Sequence, residues 1–233
     1  MMRKIVLKSS LVLAVALAAP SAFAADEAPD ALLSGVTVEV MSILKQDRDL
    51  QAGSAAKVTD LIESKVLPLF DFPRMTQIAL ARNWRLASPA QQAMLTAEFK
   101  TLLVRTYSVA LSTYRDRAIE FKRMRMASGD TEVKVKSEIV QPGRERMTID
   151  YDMEKTPAGW KVYDIKVGGV SLITTYRETF AEVVRDDGVD GLIKSLTDKN
   201  RAAGLGIKPV KTTFWEQSRI MFAMLQSALQ GRR

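Results

Sequence analysis

The segment EVKVKSEIVQPGRERMTIDYDMEKTPAGWKVYDIKV, Glu132–Val167, repeats with a period of two. Val133, Val135 and Ile139 alternate with Glu132, Lys134, Lys136 and Glu138, and Met147, Ile149, Tyr151 and Met153 alternate with Arg146, Thr148, Asp150 and Asp152. Pro142-Gly143 and Thr156-Pro157-Ala158-Gly159 supply the turns, the second leading into Trp160–Val167. Ile119 and Phe121 open one more strand, before Arg123 and Arg125 break its apolar phase and Ser128-Gly129-Asp130 turns the chain. Short turns between alternating runs predict an antiparallel meander of four strands. One face of such a sheet meets a core and the other meets water.

Outside this block the period is helical. Upstream lies SPAQQAMLTAEFKTLLVRTYSVALSTYR, Ser88–Arg115. Ser88, Pro89 and Gln91 have the spacing of an N-cap, a first-turn proline and a capping box. Leu95, Phe99, Leu102, Leu103 and Ala110 share a face, and Tyr107, Leu111 and Tyr114 widen it. Before it, Leu69–Trp84 crowds Phe70, Phe72, Met75, Ile78, Leu80 and Trp84 around a short helix with Pro73 in its first turn and Asp71 or Phe72 as cap. The earliest helix carries Leu32, Leu33, Val36, Val40, Ile43 and Leu44, with Asp30 as its expected cap. The polar stretch Gln46–Gly53 ends it. A second helix restarts at Ser54 with Val58, Leu61, Ile62 and Val66 on one side, and Pro68 limits it. After the sheet, Gly168-Gly169 reads as a turn into a helix with Leu172, Ile173, Tyr176, Phe180, Val183 and Val184. Gly188 breaks that helix, and Leu192, Ile193 and Leu196 continue in another. The fold class is therefore α+β, a four-stranded antiparallel sheet covered by about six to eight helices. The apolar helical faces exceed what one side of four strands covers, which motivates an internal cavity.

The chain has 233 residues, a formal charge of +7, and neither His nor Cys. That composition removes Ser-His-Asp and Cys-His nucleophile systems, thiolate or imidazole metal sites, and disulfides. Residues 1–24 combine Arg3, Lys4 and Lys8, an apolar run from Leu11 to Ala19, and Ala22-Phe23-Ala24. This is the pattern of a signal peptide cleaved after about Ala24; a membrane anchor is the alternative, and the run is short for a span. Losing its three basic residues lowers the charge to +4. An exported chain of that charge argues against nucleic acid as a partner. The domain expected to follow covers 25–203. Residues 204–233 form a linker and an amphipathic helix with Phe214, Trp215, Met221, Phe222, Leu225 and Leu229 on one stripe. Its few charges favour docking on this protein or a partner over a lipid surface.

Candidate chemistry is sparse. Ser42/Lys45 and Ser54/Lys57 repeat a Ser-x-x-Lys spacing without the companion motifs of enzymes that use it. Asp164, between Tyr163 and Ile165, is either a carboxylate in an apolar cavity with a raised pKa or one half of a cross-strand ion pair. Asp47/Asp49 and Asp186-Asp187 lack metal-loop spacing and read as helix-end and loop charges. These patterns single out no catalytic residue, no metal and no cofactor, and a non-enzyme is expected, with an enzyme using Asp164 left as an open alternative.

Four segments in series resemble the MlaC, or toluene-tolerance, family of periplasmic phospholipid-binding proteins. They are Val66–Gln92, Phe99–Leu111, Met147–Phe180 and Gly188–Asn200. Their most specific features are the phenylalanine-rich block, the Gln after Ser88-Pro89, Trp160-Lys161-Val162 with Asp164, and Gly169-Val170-Ser171-Leu172. The resemblance implies a twisted antiparallel sheet wrapped by helices, with acyl chains between them. It implies a periplasmic carrier that moves phospholipid between an outer-membrane lipoprotein–porin complex and an inner-membrane ABC transporter with a lipid-binding subunit. Such a carrier acts as a monomer and maintains outer-membrane lipid asymmetry. A hopanoid-type lipid is the alternative cargo, and an enzyme using Asp164 on a hydrophobic substrate the more distant one. Members of the family typically end near the region matching Lys199-Asn200-Arg201, so 204–233 is a departure. The physics agrees: at about 0.8 kcal/mol per methylene, two acyl chains of about sixteen carbons cost on the order of 25 kcal/mol to expose to water. A carrier must therefore offer a dry slot. The residues expected to line it are Phe70, Phe72 and Met75; Leu103, Tyr107 and Leu111; Met147, Ile149 and Tyr151; and Val170, Leu172, Ile173 and Tyr176. About half of them should touch lipid, the rest being plain core.

Overall fold

The computed structural model describes residues 27–52, 54–113, 118–140 and 146–204. The signal segment expected over 1–24, the Pro142-Gly143 turn and residues 205–233 of the expected extension lie outside them.

Helix α1, Pro29–Gln46, begins with proline at its first position and Ala28 as N-cap. Asp30, the expected cap, lies in the first turn and accepts the Met124 backbone N–H at 3.3 Å, tying the helix to the chain beyond the first strand. The polar stretch after it holds a further short helix, α2, Arg48–Gln51, where a break was expected. Its cause is local: the Asp47 carboxylate accepts the N–H groups of Asp49 (2.8 Å) and Leu50 (3.1 Å), satisfying donors a helix start leaves open. Helix α3, Ala55–Leu61, runs on through a widened turn, Ile62–Val66, and a tight one, Leu67–Leu69, that contains Pro68. Helix α4, Phe72–Leu80, is capped by Asp71, which accepts the Arg74 N–H at 2.8 Å.

Helix α5, Pro89–Thr113, starts with a reciprocal capping box: Gln91 Oε1 accepts the Ser88 N–H at 2.9 Å and Ser88 Oγ accepts the Gln91 N–H at 3.3 Å. Ser88→Ala removes one half of it and is expected to cost about 1 kcal/mol, read from the denaturant midpoint at constant slope.

Five strands form one antiparallel sheet in sequence order: β1 Ala118–Phe121, β2 Glu132–Val140, β3 Met147–Thr156, β4 Gly159–Val167 and β5 Val170–Ser171. Four strands were expected. The fifth arises because Gly168 (φ 57°) and Gly169 (φ 84°) both take positive φ, the requirement of a two-residue hairpin turn. Gly168-Gly169 therefore reverses the chain onto β4 instead of leading straight into a helix. Helix α6, Arg177–Gly204, follows a short 3₁₀ turn and bends sharply at Gly188, at φ 72° and ψ −175°. Six α-helices are present among the described residues.

The helices α4, α5 and α6 pack around Phe99, which stands edge-on to Tyr176 (5.0 Å) and Phe180 (5.2 Å). A second cluster joins α1 and α3 through Val40, Leu44, Val58, Leu61 and Ile62. A third sets Leu33 of α1 against Val135, Met153, Trp160 and Val162 of the sheet. The opposite face of the sheet is charged: Asp152 meets Lys134 and Lys166 (2.7 Å), and Glu138 meets Lys122 (2.8 Å) and Arg146 (3.0 Å).

Candidate binding cavity

A cavity of about 260 Å³ lies between the inner face of the sheet and the helices. The turns after α3 supply Ile62, Val66 and Leu67, and the start of α4 supplies Phe70, Phe72 and Met75. Helix α5 contributes Leu103, Val104 and Tyr107, and the sheet contributes Ile149, Tyr151, Ile165 and Val167. Leu172 and Ile173, just after β5, close the ring. These side chains are aliphatic, thioether or aromatic, and the polar atoms among them are two tyrosine hydroxyls. The size sits just under the roughly 300–1,000 Å³ of ligand pockets, and the lining is far more apolar than a pocket for a polar metabolite.

Backbone pairing places the phenylalanines. Phe70 bridges Val162 in parallel, the Asp71 N–H donates to the Val162 carbonyl at 2.9 Å, and Lys161 Nζ donates to the Pro68 carbonyl at 2.5 Å. This segment is thereby sewn to the free edge of β4, and Phe70 and Phe72 stack at 5.9 Å. Arg74, one turn into α4, pairs with Glu132 (2.7 Å) and Glu154 and lies 3.7 Å over the Tyr163 ring. Three anchors on one guanidinium hold the short helix against the sheet. The Tyr151 ring stacks on Phe121 at 6.0 Å, and burial pushes its phenol up, offset in part by a hydrogen bond with Ser137. Burial first, then the neighbouring Tyr176 hydroxyl, holds the Tyr107 phenol well above its ordinary value. Both tyrosines are neutral at any physiological pH, so the cavity carries no charge of its own.

Nine of the expected wall residues line this cavity: Phe70, Phe72, Met75, Leu103, Tyr107, Ile149, Tyr151, Leu172 and Ile173. Three others are placed elsewhere. Met147 shares the inner face but packs with Ile139 at the far end of the sheet. Tyr176, only 1% exposed, is wedged between Phe99 and Phe180 and is core. Val170 is 51% exposed, because β5 is an edge strand on the outside of the hairpin. The Leu111 side chain lies outside the described residues. Ile62, Val66, Leu67, Val104, Ile165 and Val167 line the cavity beyond the residues expected from sequence. The signals were present: Val66-Leu67 sits in an apolar run interrupted by Pro68, and Ile165 and Val167 directly oppose Tyr151 and Ile149.

Asp164 is not part of the wall. The β3–β4 pairing slips by one residue, so that Met153 faces Val162 and Asp152 faces Asp164, with Tyr163 left over as a bulge. The slip turns Asp164 to the face of the sheet opposite the cavity. There it is 5% exposed, accepts the Ile173 N–H at 3.4 Å and meets the Ser171 hydroxyl. Among the described residues it forms no ion pair with Arg or Lys; Ser171 and Ile173 belong to the segment that delivers Leu172 and Ile173 to the cavity. Its role is to position that wall, and the carboxylate-base reading has no geometry here.

Burial raises the Asp164 pKa, and the bonds from Ser171 and Ile173 only partly offset it. The native state therefore binds more protons than the unfolded state between the ordinary value of 3.8 and the raised one. Stability from this group is fully present below the unfolded pKa and falls as pH rises through the folded one. Asp164→Asn keeps an acceptor for the Ile173 N–H without a buried charge, whereas Asp164→Ala leaves that N–H unsatisfied. In chemical denaturation at neutral pH, Asn is expected within about 1 kcal/mol of the parent and Ala about 1–3 kcal/mol below it. Asn should also flatten the acid side of the stability profile.

The remaining candidates are structural. Lys57 is held by Asp47 (3.2 Å) and Asp49 (2.7 Å), which accounts for one Ser-x-x-Lys pair and for that carboxylate pair together. Ser42 Oγ accepts from the Gln46 side chain at 2.9 Å, and Asp186 pairs with Arg185 at 2.9 Å. Among the described residues no group of acidic side chains is arranged to hold a metal ion.

An antiparallel meander, a helical cover and an uncharged apolar cavity between them define an α+β protein with a pocket suited to hydrocarbon. The chain belongs to the MlaC family: a match to the family described as MlaC protein spans residues 34–198. It is 23% identical over 167 residues to toluene tolerance protein Ttg2D of Pseudomonas putida, covering 71% of this chain and 77% of that one. It is also similar to the solved structure of a phospholipid-binding protein from Ralstonia solanacearum in complex with a phospholipid. There the identity is 40% and the TM-score 0.67, over 74% of this chain and 96% of the other.

Proposed function

We propose that this protein is a periplasmic phospholipid carrier. Acting as a monomer, it takes lipid at one membrane complex and delivers it at another, from an outer-membrane lipoprotein–porin complex to an inner-membrane ABC transporter or the reverse. Its service is to keep the outer membrane asymmetric. The observation that carries this reading is the cavity itself. Its walls are hydrocarbon, it sits between sheet and helices, and it belongs to a fold shared at 40% identity with a protein solved with phospholipid bound.

A dry slot matching the bilayer interior keeps loading and unloading near balance, so no covalent step is required of the chain. Acyl chains lie against Phe70, Phe72, Leu103, Ile149 and Tyr151, and the head group faces solvent. Signal-peptide cleavage near Ala24 delivers the mature chain to this compartment.

The test is transfer of a fluorescent phospholipid from donor to acceptor vesicles kept apart by a membrane permeable to the protein only. Transfer that rises with protein concentration supports carriage. Transfer no faster than without protein contradicts it, and selective transfer of a hopanoid over phospholipid reassigns the cargo.

A further inference from the structure

We propose that the β1–β2 connection, Lys122 to Met126, is a docking surface for an anionic lipid bilayer. The sequence there is Lys-Arg-Met-Arg-Met, with three cations interleaved with two thioethers. Four cations on the adjoining face of the sheet are matched, Lys122 and Arg146 by Glu138 and Lys134 and Lys166 by Asp152, while Lys136 on that face forms no ion pair among the described residues. Arg123 and Arg125 are both exposed, and among the described residues neither forms an ion pair. Met126, 47% exposed, stands beside them, while Met124 turns inward against the core and its N–H is held by Asp30. That inward anchor fixes the backbone between the two arginines, so both are presented outward from a tethered segment.

Two unmatched guanidiniums next to an unbranched apolar side chain suit phosphate groups with the acyl boundary just beneath them. Single-stranded nucleic acid would call for aromatic stacking platforms, and no aromatic residue is present from Lys122 to Met126. The surface also adjoins the cavity. Phe121, the last residue of β1, stacks on Tyr151, one of its wall residues. A bilayer held at this loop is held beside the slot. The proposal goes beyond the carrier reading and does not depend on what the cavity holds.

The experiment is co-sedimentation of the mature chain, from Ala25 onward, with vesicles of equal parts phosphatidylglycerol and phosphatidylcholine, against vesicles of phosphatidylcholine alone, at low and high salt. The parent is expected to bind the anionic vesicles, to bind the neutral ones much less, and to be released by salt. Removing each arginine should weaken binding roughly fivefold. Arg123→Gln/Arg125→Gln should show the product of the two and Met126→Ser a smaller loss. Both variants change exposed side chains, and unaltered circular dichroism and thermal midpoint will show that the fold is intact. Equal binding to neutral and anionic vesicles, or anionic binding unchanged in the arginine variant, overturns the proposal. So does absence of vesicle binding by the parent, which would leave these arginines to an acidic protein surface.

Discussion

Replacing Val104 and Ile165 together with tryptophan is expected to leave the protein folded and to lower its phospholipid content. The two side chains stand on different walls, one on α5 and the other on β4, and both border open space. Added volume at such positions fills void instead of forcing neighbours off their rotamers, so the usual strain of overpacking is small. If the indoles displace about three methylenes of acyl chain, the lost burial is about 2.4 kcal/mol, or roughly fiftyfold in lipid affinity. Organic extraction and quantification of lipid per mole of protein reads the effect directly, with the thermal midpoint as the control for folding. Parental lipid content in a variant of parental stability would place the cargo somewhere other than this cavity.

Phe99→Ala is expected to do the reverse, collapsing stability while leaving the wall chemically unchanged. Phe99 is fully buried and supports Tyr176 and Phe180 by edge-on contacts where α5 meets α6. A phenylalanine removed from such a site costs about 3–5 kcal/mol, from lost transfer energy and the hole left behind. For a chain of this size that lowers the thermal midpoint by roughly 10 °C or more. Calorimetry should show that drop, and molecules still folded at low temperature should retain lipid. The two variants separate residues four to five apart on one helix: Phe99 belongs to the core, and Leu103 and Val104 to the wall.

That separation also marks how far the sequence could be read. Alternation of charge and hydrocarbon from Glu132 to Val167 placed the strands, because a period of two has no helical counterpart. The capping box at Ser88 located the start of α5 because its two hydrogen bonds depend only on local spacing. Side chains on one apolar helical face are chemically alike, however, so Tyr107 on the wall and Tyr176 in the core could not be told apart from spacing. The face of Asp164 was hidden for another reason. Strict alternation puts it beside Val162, and the bulge at Tyr163 sends it to the other side. A bulge is a property of the pairing of two strands and leaves no mark in either one alone. The strand β5 escaped notice because two residues carry no period, although the glycine pair that makes its turn was plain to see.

A carrier of this kind holds phospholipid in its cavity in a defined proportion. Native mass spectrometry of the mature chain, purified from the periplasm of a Gram-negative host without added lipid, is the decisive measurement. The expected result is a bound species whose mass, after release and fragmentation, is that of a diacyl phospholipid, one per chain. In the Val104→Trp/Ile165→Trp variant this species should be depleted relative to the parent. Protein that is folded but carries no lipid in repeated preparations, or a lipid adduct undiminished by filling of the cavity, would contradict phospholipid carriage in this cavity.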